Sequence, residues 1–214
     1  MQKLRLLLDV DEVICFSMYL EYINEFLETK YVMDDFTEYY LEESVIPRER
    51  MPEFNDFIKA KNLYEKPTML PGAIEAIKRL SKYYDIFICS DCINPFAKED
   101  SGIMYKNKYD FLYKTFPQEI IPCKNYIFTG AKDIFIADVQ VDDLVRNFGS
   151  NVTKKFLFPS YHNKEVSEEL LDKKGITRAG NDWQEGWHVL EKQLIDYFNS
   201  IKESNNSVSE KDSK

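Results

Sequence analysis

Two aspartates separated by one residue follow the first apolar run of the chain. The run is LRLLL, residues 4–8, and Asp9 and Asp11 come directly after it in LLLDVD. A short apolar run of this kind is typical of a strand buried on both faces of a sheet. Two carboxylates at its end repel each other and resist burial, and a cation is the usual group that stabilises them. The commoner alternative for such a pair is a loop cap or turn.

Further polar groups have the same placement beside apolar runs. IFICSD puts Ser90 and Asp91 after a second run, Lys132 lies in GAKD, and DVQVDD puts Asp142 and Asp143 after a third run. Because sites in parallel α/β sheets form at the carboxyl ends of the strands, we expect these side chains to surround one crevice. Carboxylates that bind a hard cation, with a lysine and a serine that hold phosphate oxygens, indicate magnesium-assisted phosphoryl transfer.

The elements that must position these residues alternate between strands and helices. Helical spacing marks LPGAIEAIKRL before the second run, YKNKYDFLYKTF after it, and NDWQEGWHVLEKQLIDYFNS near the end of the chain. NYIFTG and KKFLFPS are two further predicted strands. The alternation predicts an α/β fold in which a parallel sheet is flanked by helices on both sides.

An aromatic-rich segment separates the first predicted strand from the first core helix. Residues 15–70 show helical spacing broken by prolines and no clear alternating strand pattern. We interpret this segment as a small helical cap inserted into a core formed by residues 1–14 and 71–200. Residues 201–214 contain almost no large apolar side chain, so we expect a disordered tail there.

Composition and charge restrict the partners of the protein. Among 214 residues, 37 are acidic and 28 are Lys or Arg, which gives a net charge of −9. Nucleic-acid and anionic-membrane binding are therefore not expected, whereas a few local groups could still hold a small phosphorylated substrate. No apolar run approaches membrane-spanning length. Four cysteines without an N-terminal signal segment favour a reducing compartment, and we expect a cytoplasmic protein.

These motifs, in this order, resemble the haloacid dehalogenase superfamily of phosphotransferases. DVDEV, then ICS after a helical insert, then Lys132 and VDD carry the likeness. Within the superfamily, residues 3–158 are similar to the 5'(3')-deoxyribonucleotidases, of the cytosolic type C 5'-nucleotidase group. The resemblance implies a Rossmann-like core with a cap, and a magnesium-dependent phosphatase that hydrolyses (deoxy)nucleoside monophosphates to nucleoside and phosphate. It leaves a homodimer open.

The resemblance also implies catalytic and metal-binding roles. Asp9 would be the nucleophile that becomes an aspartyl-phosphate, and Asp11 would be the general acid and base. Asp9, Asp11 through its backbone carbonyl, and Asp143 would ligate Mg²⁺. Asp142 would have a supporting role beside Asp143.

The resemblance implies phosphate-binding roles for three residues. Ser90 and the backbone N–H of Asp91 would face the phosphate, and Lys132 would steady both the nucleophile and the transferring group. Lys124 is a rival for the lysine role. We prefer Lys132, because the match to the family then needs no gap between Ile127 and the VDD motif.

Two positions depart from the family pattern. Glu12 stands where the family usually has glycine, and Asp91 stands where these nucleotidases often have a small hydroxyl residue. An extra carboxylate near a phosphate opposes binding unless it points away, and we expect Asp91 to point away, toward Lys98, Lys106 or Lys108. The departures leave two alternatives open: a phosphatase for another small phosphate ester, and a non-catalytic relative that binds a nucleotide.

The sequence CSDC suggests a competing chemistry. Cys89 and Cys92 have the spacing of a redox or zinc motif. A thioredoxin-like motif would begin a helix, whereas Cys89 lies inside the apolar run of a predicted strand. A zinc site would need ligands from the two histidines or the other two cysteines. We therefore interpret Cys89 as a core residue.

Overall fold

A six-stranded parallel sheet forms the centre of the protein. The computed structural model describes residues 2–92 and 101–211. Its strands, in chain order, are β1 (Leu4–Leu8), β2 (Cys15–Phe16), β3 (Thr68–Met69), β4 (Tyr84–Ser90), β5 (Tyr126–Phe128), β6 (Ala137–Asp142), β7 (Val152–Leu157) and β8 (Ile176–Arg178). The main sheet has the order β5-β4-β1-β6-β7-β8, and every neighbouring pair is parallel. β2 and β3 form a separate antiparallel pair.

The apolar run of β1 follows from its central place in the sheet. Leu6 and Leu8 belong to the main hydrophobic core, whereas Leu7, between them, packs in a second cluster with Cys89 and Ala137. Successive side chains of a strand point to opposite faces, so β1 is covered on both sides. A strand in this position has no solvent face, and an alternating polar pattern is absent for that reason.

Helices cover the sheet and build the inserted segment. They are α1 (Tyr19–Leu27), α2 (Leu41–Val45), α3 (Met51–Ile58), α4 (Ala73–Leu80), α5 (Ser101–Thr115), α6 (Glu168–Lys174) and α7 (Trp183–Lys211). α7 is fixed to the core by Trp187, whose indole N–H donates to the carbonyl of Val13 at 2.6 Å. The hydroxyl of Tyr84 donates to the carbonyl of Leu194 at 2.6 Å, which binds the same helix to β4.

The predicted fold class is confirmed, with some elements that the sequence did not indicate. All five predicted strands are present, as β1, β4, β5, β6 and β7. β8 and the short α6 were not predicted, because a three-residue edge strand has too few positions to show a periodic pattern. β2 and β3 pair at the two ends of residues 15–70, and α1 to α3 lie between them. The division of the chain into core and cap stays a prediction.

The C-terminal residues differ from the expected disordered tail. α7 extends to Lys211, so residues 201–211 are helical, and the hydroxyl of Ser204 bonds back to the carbonyl of Ser200 at 2.9 Å. Extending an existing helix requires no new nucleation, so polar residues can continue α7 beyond its packed part. Within the described ranges, no helix is both long enough and apolar enough to cross a membrane.

Candidate active site

Three neighbouring strands deliver the predicted residues to one edge of the sheet. Asp9 directly follows β1, Ser90 ends β4 and Asp142 ends β6, and β1 lies between the other two strands. The chain continues from β4 to β5 on one side of β1 and from β6 to β7 on the other. This is the point at which strand order reverses, where ligands bind in open α/β sheets.

A buried lysine joins two of the aspartates. The ammonium group of Lys132 bonds to Asp9 Oδ2, and to Asp142 Oδ2 at 2.9 Å. Burial alone would lower the pKa of Lys132, but the charges of Asp9 and Asp142 outweigh burial and hold it well above its ordinary value. Burial, with the charge of Asp9, raises the pKa of Asp142 to about 6 despite the opposing effect of Lys132. Lys124, the rival lysine, is exposed.

Asp142 also orders the loop that follows β6. Its Oδ1 accepts hydrogen bonds from the backbone N–H of Leu144 at 3.0 Å and from the side-chain amide of Asn147 at 2.8 Å. Asp142 is therefore both a partner of Lys132 and a turn-forming residue.

Asp143 belongs to a second network that contains a histidine. His162 Nε2 lies 2.8 Å from Asp143 Oδ2 and 2.7 Å from Glu12 Oε2. Burial lowers the pKa of His162, but its bonds to Asp143 and Glu12 outweigh burial and raise the pKa to about 10. Burial raises the pKa of Asp143 well above its ordinary value, against the lowering effect of His162. The sequence did not indicate His162 as part of this site.

Asp11 is bound by one residue from the inserted segment and one from the core. The hydroxyl of Tyr64 donates to Asp11 Oδ1 at 2.6 Å, and the ammonium of Lys108 donates to Asp11 Oδ2 at 2.6 Å. Lys108 also donates to Ser90 Oγ at 2.9 Å and to the backbone carbonyl of Asp91. One buried cation therefore connects the three positions predicted for acid–base work and phosphate binding.

Lys108 and Tyr64 were missed by sequence reasoning as site residues. Lys108 lies in α5 on the face that carries Leu112, and both side chains are buried. The spacing of Lys108 and Leu112 places both on one face of the helix, and burial of that face could have indicated a lysine with a charged partner. An unpaired buried ammonium is costly. Tyr64 had no such signal, since it is one of many aromatic residues in the inserted segment.

Two adjoining cavities are lined by these groups. The smaller, of 140 Å³, is lined by Asp9, Ser90, Lys132 and Asp143. The larger, of 420 Å³, lies against the inserted segment and has a largely aromatic and apolar lining. Both cavities are lined by the same five residues at their junction: Asp11, Glu12, Tyr39, Asp91 and Arg146. The volume of the larger cavity is within the range of small-molecule sites.

The carboxylates around the smaller cavity fit a hard divalent cation. Oxygen atoms of Asp9, Asp142 and Asp143 lie within 4.8 Å of one another, as do ligand atoms of Glu12, Asp143 and His162. Carboxylate oxygens are the donors that Mg²⁺ prefers, and clustering them without a cation is electrostatically unfavourable. The side chain of Asp11 binds Tyr64 and Lys108, so only its backbone would be available for a cation in this arrangement.

Comparison with known proteins identifies the family of the chain. The model of the family described as 5' nucleotidase, deoxy (pyrimidine), cytosolic type C protein matches residues 2–194. The chain belongs to this family. It is accordingly a phosphoric monoester hydrolase of the 5'-nucleotidase type, as the resemblance of its motifs predicted.

The similarity to known proteins covers most of the sequence of this nucleotidase. A Staphylococcus epidermidis protein named "Putative 5'(3')-deoxyribonucleotidase" is 24% identical over 204 residues, covering 94% of this chain and 99% of its own. The 5'(3')-deoxyribonucleotidase of Bacillus subtilis is 27% identical over 134 residues, covering 63% of this chain and 66% of its own. A haloacid dehalogenase-like hydrolase from Xanthomonas campestris shares the fold with a TM-score of 0.52 at 12% identity, covering 94% of this chain and all of its own.

The first departure of this nucleotidase from the family pattern has a structural explanation. Glu12 has φ of 60°, a left-handed backbone that glycine adopts more readily than other residues. Its carboxylate accepts from Ser160 Oγ at 2.6 Å and from the Tyr161 hydroxyl at 3.2 Å, besides its contact with His162. These bonds fix Glu12 and offset the strain of its backbone.

The second departure lies at the mouth of the smaller cavity. A Cβ added to Gly130 would lie 3.0 Å from Asp91 Oδ2, so the carboxylate packs against this glycine. Among the lysines expected to pair with the Asp91 carboxylate, Lys108 binds the backbone carbonyl of Asp91, and Lys106 pairs with Asp110. Lys98 lies outside the described residues. Gly130 therefore leaves the space that an aspartate needs here.

The cysteine pair does not have the properties of a redox or zinc centre. Burial raises the pKa of both Cys89 and Cys92 to about 12, so neither is a reactive thiolate at neutral pH. Cys89 packs in the core beside Leu7, as expected. The two potential metal-binding clusters among the described residues contain no cysteine.

Proposed function

We propose that this nucleotidase is a magnesium-dependent phosphatase that hydrolyses (deoxy)nucleoside monophosphates to nucleoside and phosphate. The observation that carries the proposal is the position of Asp9, which is bonded to Lys132 and lines a small polar cavity that adjoins a larger, more apolar one. The first cavity offers Ser90 and Lys132 as partners for a phosphate, and the aromatic lining of the second suits a nucleoside. The names of the Staphylococcus and Bacillus relatives agree with such a substrate.

In the first step, the carboxylate of Asp9 attacks phosphorus and the bond to the nucleoside oxygen breaks. The leaving oxygen takes a proton from Asp11, so that a neutral nucleoside departs. Ser90, the backbone N–H of Asp91 and the ammonium of Lys132 hold the phosphate oxygens. The product of this step is an aspartyl-phosphate on Asp9.

In the second step, Asp11 accepts a proton from water, and the resulting hydroxide attacks phosphorus. Phosphate leaves, and the carboxylate of Asp9 is regenerated. Asp9, the backbone carbonyl of Asp11 and Asp143 would hold Mg²⁺, which supplies neutralisation of the negative charge on the phosphate oxygens when bound. Throughout, Lys132 opposes the negative charge that accumulates near Asp9.

The aromatic lining of the larger cavity supports selection of the nucleoside. Tyr39, Tyr40 and Tyr64 line its walls, and aromatic rings offer a nucleobase a stacking surface. All four cysteines are free, in agreement with the proposed location in the reducing cytoplasm.

The test is a panel of deoxyribo- and ribonucleoside monophosphates assayed for phosphate release with Mg²⁺ and with chelator. We expect release with Mg²⁺, loss in chelator and recovery on adding Mg²⁺ back. Full activity in chelator would refute the metal dependence. No release from any member of the panel, with release from another small phosphate ester, would refute the nucleotide substrate.

A further inference from the structure

The larger cavity contains a carboxylate that the proposed chemistry does not use. Glu42, in α2, is 5% exposed and lines the larger cavity but not the smaller. Among the described residues that line only the larger cavity, Glu42 is the single one with a formal charge. Its neighbours in this wall include the apolar side chains of Met33, Leu41, Ile58 and Leu63. A buried carboxylate in such surroundings requires hydrogen-bond donors.

The protein supplies only part of what the Glu42 carboxylate can accept. The groups that act on it are its own backbone N–H, the hydroxyl of Tyr19 and the charge of Glu43. An ionised carboxylate has about four lone-pair positions, so two donors leave acceptor capacity that a ligand in the cavity could use. Burial raises the pKa of Glu42, its backbone N–H and Tyr19 lower it, and Glu43 raises it. A donor brought by a ligand would stabilise the charged form further.

The position of Glu42 relative to the phosphate site indicates which part of a nucleotide it meets. With its phosphate in the smaller cavity, a nucleotide must pass the junction formed by residues such as Asp11, Tyr39 and Arg146. The sugar is attached to the phosphate and lies nearest this junction. Glu42 is not a junction residue, so the part of the substrate that reaches it is the base.

We propose that Glu42 is a specificity-determining residue that favours nucleobases with an exocyclic amino group over bases with a carbonyl oxygen at the same place. The inference rests on the proposed function. An amino group donates to the carboxylate, whereas a carbonyl oxygen turns its own lone pairs toward it. A site built around one hydrogen-bonding pattern strongly rejects an analogue that leaves its buried polar group unpaired.

dCMP and dUMP form the matched substrate pair, because their bases differ in only two adjacent atoms: the amino or carbonyl group, and the neighbouring ring nitrogen, which accepts in cytosine and carries a hydrogen in uracil. We measure kcat/KM for both with the wild-type protein, with Glu42→Gln and with Glu43→Gln. Glu43 is the adjacent, exposed glutamate of the same helix and serves as the control. The wild type should prefer dCMP by about 10- to 100-fold, as expected of a hydrogen bond to a charged group.

Glu42→Gln should lower this preference about tenfold or more, because its amide can donate to a carbonyl oxygen, and Glu43→Gln should leave it unchanged. If Glu42→Gln does not fold, Glu42→Met, of similar volume and without a strong donor or acceptor, carries the same expectation. Equal kcat/KM for dCMP and dUMP in the wild type, or an unaltered ratio in the folded variant, would overturn the proposal. A variant that changes only the ratio of kcat/KM for dCMP and CMP would also overturn the proposal, because it would show that Glu42 contacts the sugar.

Calorimetric binding of deoxycytidine and deoxyuridine separates this inference from the proposed function. Tighter binding of deoxycytidine that Glu42→Gln abolishes would support the role of Glu42 even if no nucleotide were hydrolysed. Turnover of nucleotides without any base preference would uphold the proposed function and refute the role of Glu42.

Discussion

Replacing Lys108 by methionine removes a single buried ammonium that three polar groups share. The side chain of Lys108 is 1% exposed, and its nitrogen contacts Asp11 Oδ2, Ser90 Oγ and the carbonyl of Asp91. Methionine has a similar length but donates no hydrogen bond. In Lys108→Met, Ser90 loses this donor inside the protein, and Asp11 keeps only its bond to Tyr64 among the contacts described above.

The cost follows from how well each partner is shielded from water. Removing one member of a buried ion pair typically costs about 3–5 kcal/mol. The side chain of Asp11 is 38% exposed, so water screens part of this loss, and we expect about 1–3 kcal/mol of lost unfolding free energy. For a domain of this size, that corresponds to a fall in Tm of roughly 3–10 °C.

Thermal and urea unfolding followed by circular dichroism measure this loss, with Lys106→Met as the control. Lys106 lies in the same helix, is exposed and pairs with Asp110 at the surface, so its replacement should not change Tm measurably. The fraction of Lys108→Met that is still folded should also turn over nucleotide about 10- to 100-fold more slowly, because Asp11 is no longer held in place. An unchanged Tm with unchanged kcat in Lys108→Met would refute the assignment of Lys108 as the residue that positions Asp11.

Three further predictions concern the groups around the smaller cavity. Asp9→Asn should abolish phosphate release while circular dichroism shows an intact fold, since an amide is nearly isosteric with a carboxylate but is a poor nucleophile; undiminished release would exclude the covalent intermediate. Asp11→Asn should slow nucleotide hydrolysis about 10²–10⁴-fold but affect the first step on an activated aryl phosphate less, and equal losses on both substrates would contradict its role as the acid. In metal-free protein, NMR should show His162 still protonated at pH 8, because its pKa is raised to about 10. The stability that this raised pKa contributes is fully present below the ordinary histidine pKa and is lost as pH rises through about 10. Titration of His162 near pH 6.5 would contradict its pairing with Asp143 and Glu12.

The fold class, and the edge of the sheet at which the site forms, could be predicted from sequence patterns. Asp9, Ser90 and Asp142 each follow or end an apolar run, and such runs become adjacent parallel strands. Strand-end residues must then meet, because parallel strands in one sheet have their carboxyl ends on the same side. Local pattern alone was sufficient for this part of the prediction.

The other side chains that complete the site are brought there by tertiary packing and could not be predicted from sequence patterns. Lys108 binds Asp11 across 97 positions of sequence, and Tyr64 reaches the same carboxylate across 53. His162 comes to Asp143 from the loop after β7, and Glu42 lies in the wall of a cavity formed by the inserted segment. Contacts over such separations depend on how helices and loops pack on the sheet, and this packing depends on the whole core rather than on any local pattern. Periodicity therefore places residues on an element and at its ends, whereas the partner of a side chain is determined only when the elements are assembled.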